Sequence, residues 1–170
     1  MMPLIDLTVK PADDSEVDAF KAWAKYPFPD DYLAFLKKYN GGYLNGGGPC
    51  YYNSDDHTVA AITTFMHISE EVDKCINKTF ERFFFTSTVA FQTKDLRDNY
   101  FAPDHYIKIA NGAEHEHILM DLKTGHVFSF DDETEEELET TEDFLEECFI
   151  MTDSFSSFFS RIVDDLPDGV

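Results

Sequence analysis

The chain has 170 residues, a length that suits one domain with a core needing no disulfide staples. Its 34 acidic against 13 basic residues give a formal net charge of -21, which repels nucleic acid and anionic lipid surfaces, attracts basic proteins and disfavours DNA or RNA binding. Seventeen Phe, eight Tyr and one Trp are too much apolar surface to leave solvated, so disorder is excluded as well.

In chain order, a helix is predicted from Ser15, with Asp18 three residues on as in a capping box and Val17, Phe20, Trp23 and Ala24 on one face; it stops before Pro27. Phe28 to Gly42 (FPDDYLAFLKKYNGG) carries the signals of a second helix in order. Pro29 suits the first turn, Asp30 and Asp31 the positive end of the dipole, Lys37 and Lys38 the negative end, and Asn40-Gly41-Gly42 the exit. Its apolar stripe is Tyr32, Phe35, Leu36 and Tyr39. Thr58 to Ile68 reads as a strand, Ser69-Glu70-Glu71 as the cap of a short helix reaching Thr79, and Phe83-Phe84-Phe85 with Thr86 to Phe91 as a further strand.

The organising stretch is Tyr106 to Phe130, three antiparallel strands joined by two tight connections. Ile107 and Ile109 alternate with Lys108; Ile118, Met120 and Leu122 alternate with Leu119 and Asp121; Val127, Phe128 and Phe130 close the third run. Asn111-Gly112 is expected to supply the first turn and Lys123-Thr124-Gly125 the second, with the remaining elements covering one face. Asp131 to Glu147 then holds eleven carboxylates and no lysine or arginine. Thr140 or Thr141 caps a short helix containing Phe144 and Leu145, and Ser154 caps a final one whose stripe is Phe155, Phe158, Phe159, Ile162, Val163 and Leu166.

The chemistry-bearing patterns are weak. Gly41 to Pro49 is glycine-rich, but no Gly-Lys-Ser/Thr follows and the loop leaves a helix where a phosphate loop enters one, so it reads as a connector. His115, His117 and Asp121 would project from one face of a strand as a metal-ligand row; that face is expected to be solvent or a partly covered edge, and no cofactor or metal is assigned. No G-x-S-x-G elbow or recognisable catalytic cysteine is present. Cys50, Cys75 and Cys148 lack zinc or redox spacing, which favours a reducing compartment. The N-terminal residues show no basic segment followed by an apolar run, and no stretch reaches about 18 apolar residues, so a cytoplasmic protein without membrane contact is expected.

FPDDYLAFLKKYNGG resembles the proline, acid, tyrosine, leucine, tyrosine, asparagine, glycine, glycine helix of the SUKH superfamily, which comprises bacterial immunity proteins and fungal cell-wall assembly regulators. Tyr106 to Asn111, ILMDLKTGHVFSFDDE from Ile118 and DSFSSFF from Asp153 are similar, in order, to its sheet strand, hairpin and terminal serine-phenylalanine helix. Departures are Phe28 in place of a leucine, Ala113 to His117 in place of a glycine-aspartate, and additional aromatic sequence from Phe83 to Phe101. The resemblance implies one α+β domain over residues 1–170, a curved, mainly antiparallel sheet packed by helices. It implies a non-catalytic immunity protein that binds and neutralises a cognate toxin; the alternatives are a regulatory scaffold in envelope or stress signalling and, behind it, a metal-dependent enzyme. The motif residues Asn40, Gly41, Gly42, Asp121, Gly125, Ser154 and Phe155 read as turns and caps. The charge points instead to Asp131, Asp132, Glu133, Glu135, Glu136, Glu137 and Glu139, with the adjoining solvent side of the meander, as the contact with a basic, nuclease-type toxin.

Overall fold

A computed structural model describes residues 5–6, 10–44, 50–53, 59–71, 88–112, 115–133 and 138–163. The elements are β1 (Ile5–Asp6), α1 (Asp14–Ala24), α2 (Asp30–Lys38), β2 (Gly42–Leu44), β3 (Cys50–Asn53), β4 (Val59–Phe65), α3 (Val89–Tyr100), β5 (Tyr106–Gly112), β6 (Glu116–Asp121), β7 (Val127–Asp131), α4 (Thr141–Glu147), β8 (Phe149–Thr152), α5 (Phe155–Ser160) and β9 (Ile162–Val163). They form a single α+β domain built on a curled antiparallel half-barrel sheet. The strand order is β1-β2-β4-β5-β6-β7-β8, with β3 beside β4 and β9 beside β3. The predicted meander is therefore β5, β6 and β7, at the middle of the sheet.

Local chemistry explains most boundaries. α1 is capped two residues earlier than predicted: Asp13 accepts from the Glu16 N–H and Glu16 accepts from the Asp13 N–H, each at 3.0 Å, a reciprocal box in place of the one expected of Ser15 and Asp18. α2 follows Pro29 and leaves through Asn40, Gly41 and Gly42, all at positive φ. At Gly41 a Cβ would lie 2.8 Å from the backbone of Phe65 and Met66, so the helix exit passes too close to β4 for any side chain. The Asn40 amide completes this weld, donating to the Ile68 and Lys10 carbonyls at 3.2 Å while its oxygen accepts from the Ile68 N–H at 2.9 Å. The second meander turn is as predicted: Gly125 has φ 80°, and Asp121 accepts from the Lys123 N–H and the Thr124 hydroxyl at 2.8 and 2.9 Å.

The first meander turn differs. Asn111 and Gly112 end β5 in extended pairing with β6 and β4, and the connection falls after them. Gly112 leaves room for Glu116, since a Cβ there would lie 2.8 Å from the Glu116 Cβ. The strand expected over Thr86 to Phe91 gives way from Thr88 onward to α3, because the Thr88 hydroxyl caps the Phe91 N–H at 3.2 Å. The last helix stops at Ser160, where Arg161 turns the chain and Ile162 and Val163 pair with β3 instead of extending the stripe. The Ser69 hydroxyl accepts from the Glu71 N–H as a cap would. The predicted helix beyond it, Phe83 to Phe85, Leu166 and residues 45–49 of the glycine-rich stretch lie outside the described residues.

Both faces of the meander are covered, contrary to the expectation of one solvent side. One face carries the large aromatic cluster of Phe20, Phe28, Tyr32, Phe35, Phe65, Phe155 and Phe158 with Ile107, Ile118, Met120 and Val127. The other packs Tyr106, Leu119 and Phe130 against Leu96 of α3 and Phe144 of α4. No helix among the described residues is long and apolar enough to cross a membrane.

Candidate interaction site

The acidic segment that leaves β7 is fastened to the second face of the sheet by one of its own carboxylates. Asp132 accepts from His115 Nδ1 at 2.8 Å, from His117 Nε2 at 2.9 Å and from the Tyr100 hydroxyl at 3.1 Å, and its N–H donates to the His115 carbonyl at 3.2 Å. Burial by itself would raise its pKa, but the hydrogen bonds from His117, Tyr100 and His115 outweigh that and hold the carboxyl below the usual range. His115 also lies 3.1 Å from Glu133. Its partial burial opposes protonation, yet Asp132, Glu133 and Asp131 together raise its pKa. The segment is thus held by two imidazoles that its own sequence lacks, one just before β6 and one within it.

His117 behaves differently from its neighbour. It is packed between Tyr100 and Phe130 at ring distances of 6.1 and 5.8 Å, and burial followed by the nearby Lys108 charge lowers its pKa. It is therefore a neutral imidazole whose Nε2–H donates to Asp132. The predicted His115, His117, Asp121 row is not assembled: Asp121 is committed to the Lys123–Gly125 turn and to a contact of 3.8 Å with His105, while both histidines converge on Asp132. Among the described residues no group of three or more His, Cys, Asp or Glu side chains is placed to hold a metal ion.

Of the other predicted contact residues, Asp131 is exposed at the end of β7 and accepts from the Glu133 N–H at 3.0 Å, and Glu133 is exposed. Glu139 is exposed and leads into α4, its N–H donating to Asp143 at 3.0 Å. Glu135, Glu136 and Glu137 lie outside the described residues. The adjoining side of the meander is not open as expected, because α3 and α4 cover it. Glu116 stands directly opposite Asp131 in the β6–β7 ladder; burial, then the Asp131 charge, raises its pKa to about 7.

Sequence reasoning missed Lys108, which is 3% exposed. Its ammonium donates to Gln92 Oε1 at 2.9 Å and its N–H to the Thr93 hydroxyl at 2.9 Å, both on α3, and burial lowers its pKa to about 8. Its alternation between Ile107 and Ile109 looked like a solvent position. The helical spacing of Val89, Ala90, Thr93 and Leu96, all buried, was the available signal that another element covers that face.

A shallow cleft of about 310 Å³ lies elsewhere, lined by Pro27, Phe28, Pro29, Lys123, Gly125 and Ser154 among others. Two of its polar side chains are engaged in holding elements together: Asp31 accepts from the Tyr32 and Ser156 N–H groups at 2.9 and 2.7 Å, and Ser154 caps α5 through the Ser157 N–H. These are turn and cap roles, as expected for Asp121, Gly125 and Ser154.

No curated protein matches the chain significantly. A family model does, over residues 11–161, a span that takes in all five described helices and the sheet from β2 to β8. Proteins of that family are commonly immunity proteins that bind toxins, and are generally non-catalytic. The chain belongs to the SMI1 / KNR4 family (SUKH-1).

Proposed function

We propose that this protein is a non-catalytic immunity protein that binds and neutralises a cognate basic toxin, of nuclease type, through the acidic segment Asp131 to Glu139. The observation that carries the reading is the charge: a net -21, with Asp131, Glu133 and Glu139 exposed and Asp132 drawn inward to hold the root of the segment. A toxin that acts on a polyanion has a positive substrate cleft, and a carboxylate-rich surface competes for that cleft with fast, salt-sensitive association.

Co-expression with the toxin domain encoded beside this gene tests the reading. Protection of the cells and a direct complex are expected. Changing Glu135, Glu136 and Glu137 to lysine should slow association about tenfold and flatten its salt dependence, with thermal stability unchanged. Failure to protect removes the immunity reading. Protection with a parent-like association rate and salt slope in the triple variant removes the acidic segment as the contact.

A further inference from the structure

Lys10, Lys37 and Lys94 each form an ion pair with an aspartate, Asp13, Asp14 and Asp98 respectively, as a chain with 34 acidic and 13 basic residues would suggest. Arg97 and Lys123 form none among the described residues. Each is set over an aromatic ring instead: the Arg97 guanidinium lies 5.3 Å from the centre of the Trp23 ring and the Lys123 ammonium 5.7 Å from that of Tyr26. His105 joins the two. Its ring is 6.0 Å from Tyr26, Arg97 Nη2 donates to the carbonyls of the residues on either side of it, Asp104 and Tyr106, and the Arg97 and Lys123 charges both act on its imidazole. Trp23, Tyr26, Arg97, His105 and Lys123 therefore make one continuous shelf, in which Lys123 is exposed and the others are half-buried.

The donors of this shelf are not saturated. Arg97 uses Nη2 for both of its hydrogen bonds; Nη1 has no partner among the described residues and, unlike Nε, is not buried. Lys123 bonds through its backbone N–H, which leaves the ammonium to the Tyr26 ring and the solvent. Of the carboxylates around His105, Asp121 is buried and committed to the Lys123–Gly125 turn, and Asp104 meets Arg97 through its carbonyl. Lys123 also lines the cleft of about 310 Å³, whose Pro27, Phe28, Pro29 and Leu122 offer an apolar recess beside the shelf. Free cationic donors next to such a recess fit a carboxylate with an apolar neighbour.

Position and charge decide the occupant. The shelf lies at the turn between β6 and β7, whereas the acidic segment leaves the other end of the same hairpin, where Glu116 faces Asp131. The six residues of β6 separate them, roughly 20 Å, which one protein–protein contact of ordinary size spans. A partner that is acidic overall, an anionic lipid surface or a second copy is repelled by the net charge of -21. A partner that is basic overall is attracted, but it must then present a carboxylate, not a lysine or arginine, to Arg97 and Lys123. We infer that the shelf of Trp23, Tyr26, Arg97, His105 and Lys123, with the adjoining cleft, holds an acidic residue and its apolar neighbour on the cognate basic toxin and so fixes the register of the complex. This rests on the immunity reading above and deepens it: the acidic segment attracts any basic toxin, while the shelf selects one with a carboxylate at this distance, since like charges set together disfavour the others.

The probe is the toxin domain that the parent protein neutralises on co-expression, and association and dissociation rates are measured for Lys123→Glu and Lys123→Gln. If overall charge were the whole of the attraction, a further carboxylate on this acidic chain would tighten its hold on a basic toxin. The shelf requires the opposite: dissociation about 100-fold faster with Lys123→Glu and about tenfold faster with Lys123→Gln, with association within about threefold of the parent. Melting temperatures should match the parent, because the Lys123 side chain is exposed and the backbone N–H that holds the turn is kept. Among single aspartate or glutamate to lysine changes on the toxin surface, one should slow dissociation from Lys123→Glu back toward the parent rate. Parent-like or slower dissociation in both Lys123 variants, or no rescuing change on the toxin, overturns the shelf, and intact neutralisation by the parent leaves the immunity reading standing. A parent that neutralises no neighbouring toxin overturns both. A parent oligomer in sedimentation that Lys123→Glu dissociates overturns the inference in favour of a contact between copies.

Discussion

The two faces of the central meander are built on opposite principles. On the first, α1, α2 and α5 close an aromatic cluster in which Phe35 lies 4.9 Å from Phe65 and 5.0 Å from Phe155 between ring centroids. On the second, α3 and α4 cover a smaller apolar set that shares its space with Lys108, His117 and the carboxylate of Asp132. The first face holds the fold by area removed from water and by ring packing, both indifferent to pH. The second holds charges whose state depends on their surroundings, and it is the face to which the acidic segment is tied. Stability and electrostatic character are thus assigned to different sides of one sheet.

Phe35→Ala strikes the first face at a ring that touches Tyr32, Tyr39, Phe65, Phe155 and Phe159 and should have the largest effect, a loss of about 3–5 kcal/mol in urea unfolding. A loss under about 1 kcal/mol would mean that the aromatic cluster is not one cooperative unit.

Lys108→Met tests the second face, and its sign is opposite. The lysine pKa falls from 10.5 to about 8 on folding, so between those values the unfolded chain keeps a proton that the folded one has released, and stability from this group rises with pH across that window. Below pH 8 the folded state bears the full penalty of a buried ammonium, roughly 3 kcal/mol, of which the Gln92 hydrogen bond lost in the variant returns about 1 kcal/mol. The methionine variant should therefore be more stable by about 2 kcal/mol at neutral pH, and above about pH 10.5, where only the lost hydrogen bond remains, less stable by about 1 kcal/mol. A gain that stays constant from pH 8 to 10.5 would show that packing, not charge, is responsible.

The smallest effect is expected at Glu116, opposite Asp131 where the acidic segment starts. Its folded pKa is about 7 against an ordinary 4.5, so the folded carboxyl holds a proton that the unfolded one gives up, and the parent loses stability from this group as pH rises from 4.5 through 7. Glutamine does not titrate. The stability difference between Glu116→Gln and the parent should be near zero below pH 4.5 and grow in favour of glutamine up to about pH 7, as read from paired thermal melts. A difference without pH dependence would detach Glu116 from the field of the segment.

Much of the fold was legible in the residues. The α2 signals from Pro29 to Gly42, the alternation in β5 to β7, and the caps at Thr140 and Ser154 are all local: a hydroxyl or carboxylate satisfies N–H groups within a few residues, and that chemistry needs no distant partner. The family resemblance rested on these same positions. The candidate site was legible in part. The density of carboxylates was evident, but not that Asp132 turns inward while its neighbours remain outside, because that depends on His115, His117 and Tyr100 arriving from other elements.

The sequence by itself determined where α2, α4 and α5 start, where the meander turns at Gly125, and the sign and size of the charge, since each is set by covalent geometry, local hydrogen bonding or a count. Only the tertiary structure decided that α3 lies over the second face and buries Lys108, that β5 runs on through Gly112 so that Glu116 has room beside it, and that Ile162 and Val163 leave a helical stripe for β3. The physical reason is common to all three. A strand's pairing partner and a side chain's depth are properties of what another part of the chain places beside it, and a modest local preference yields whenever that neighbour offers a hydrogen-bonded edge or a dry surface.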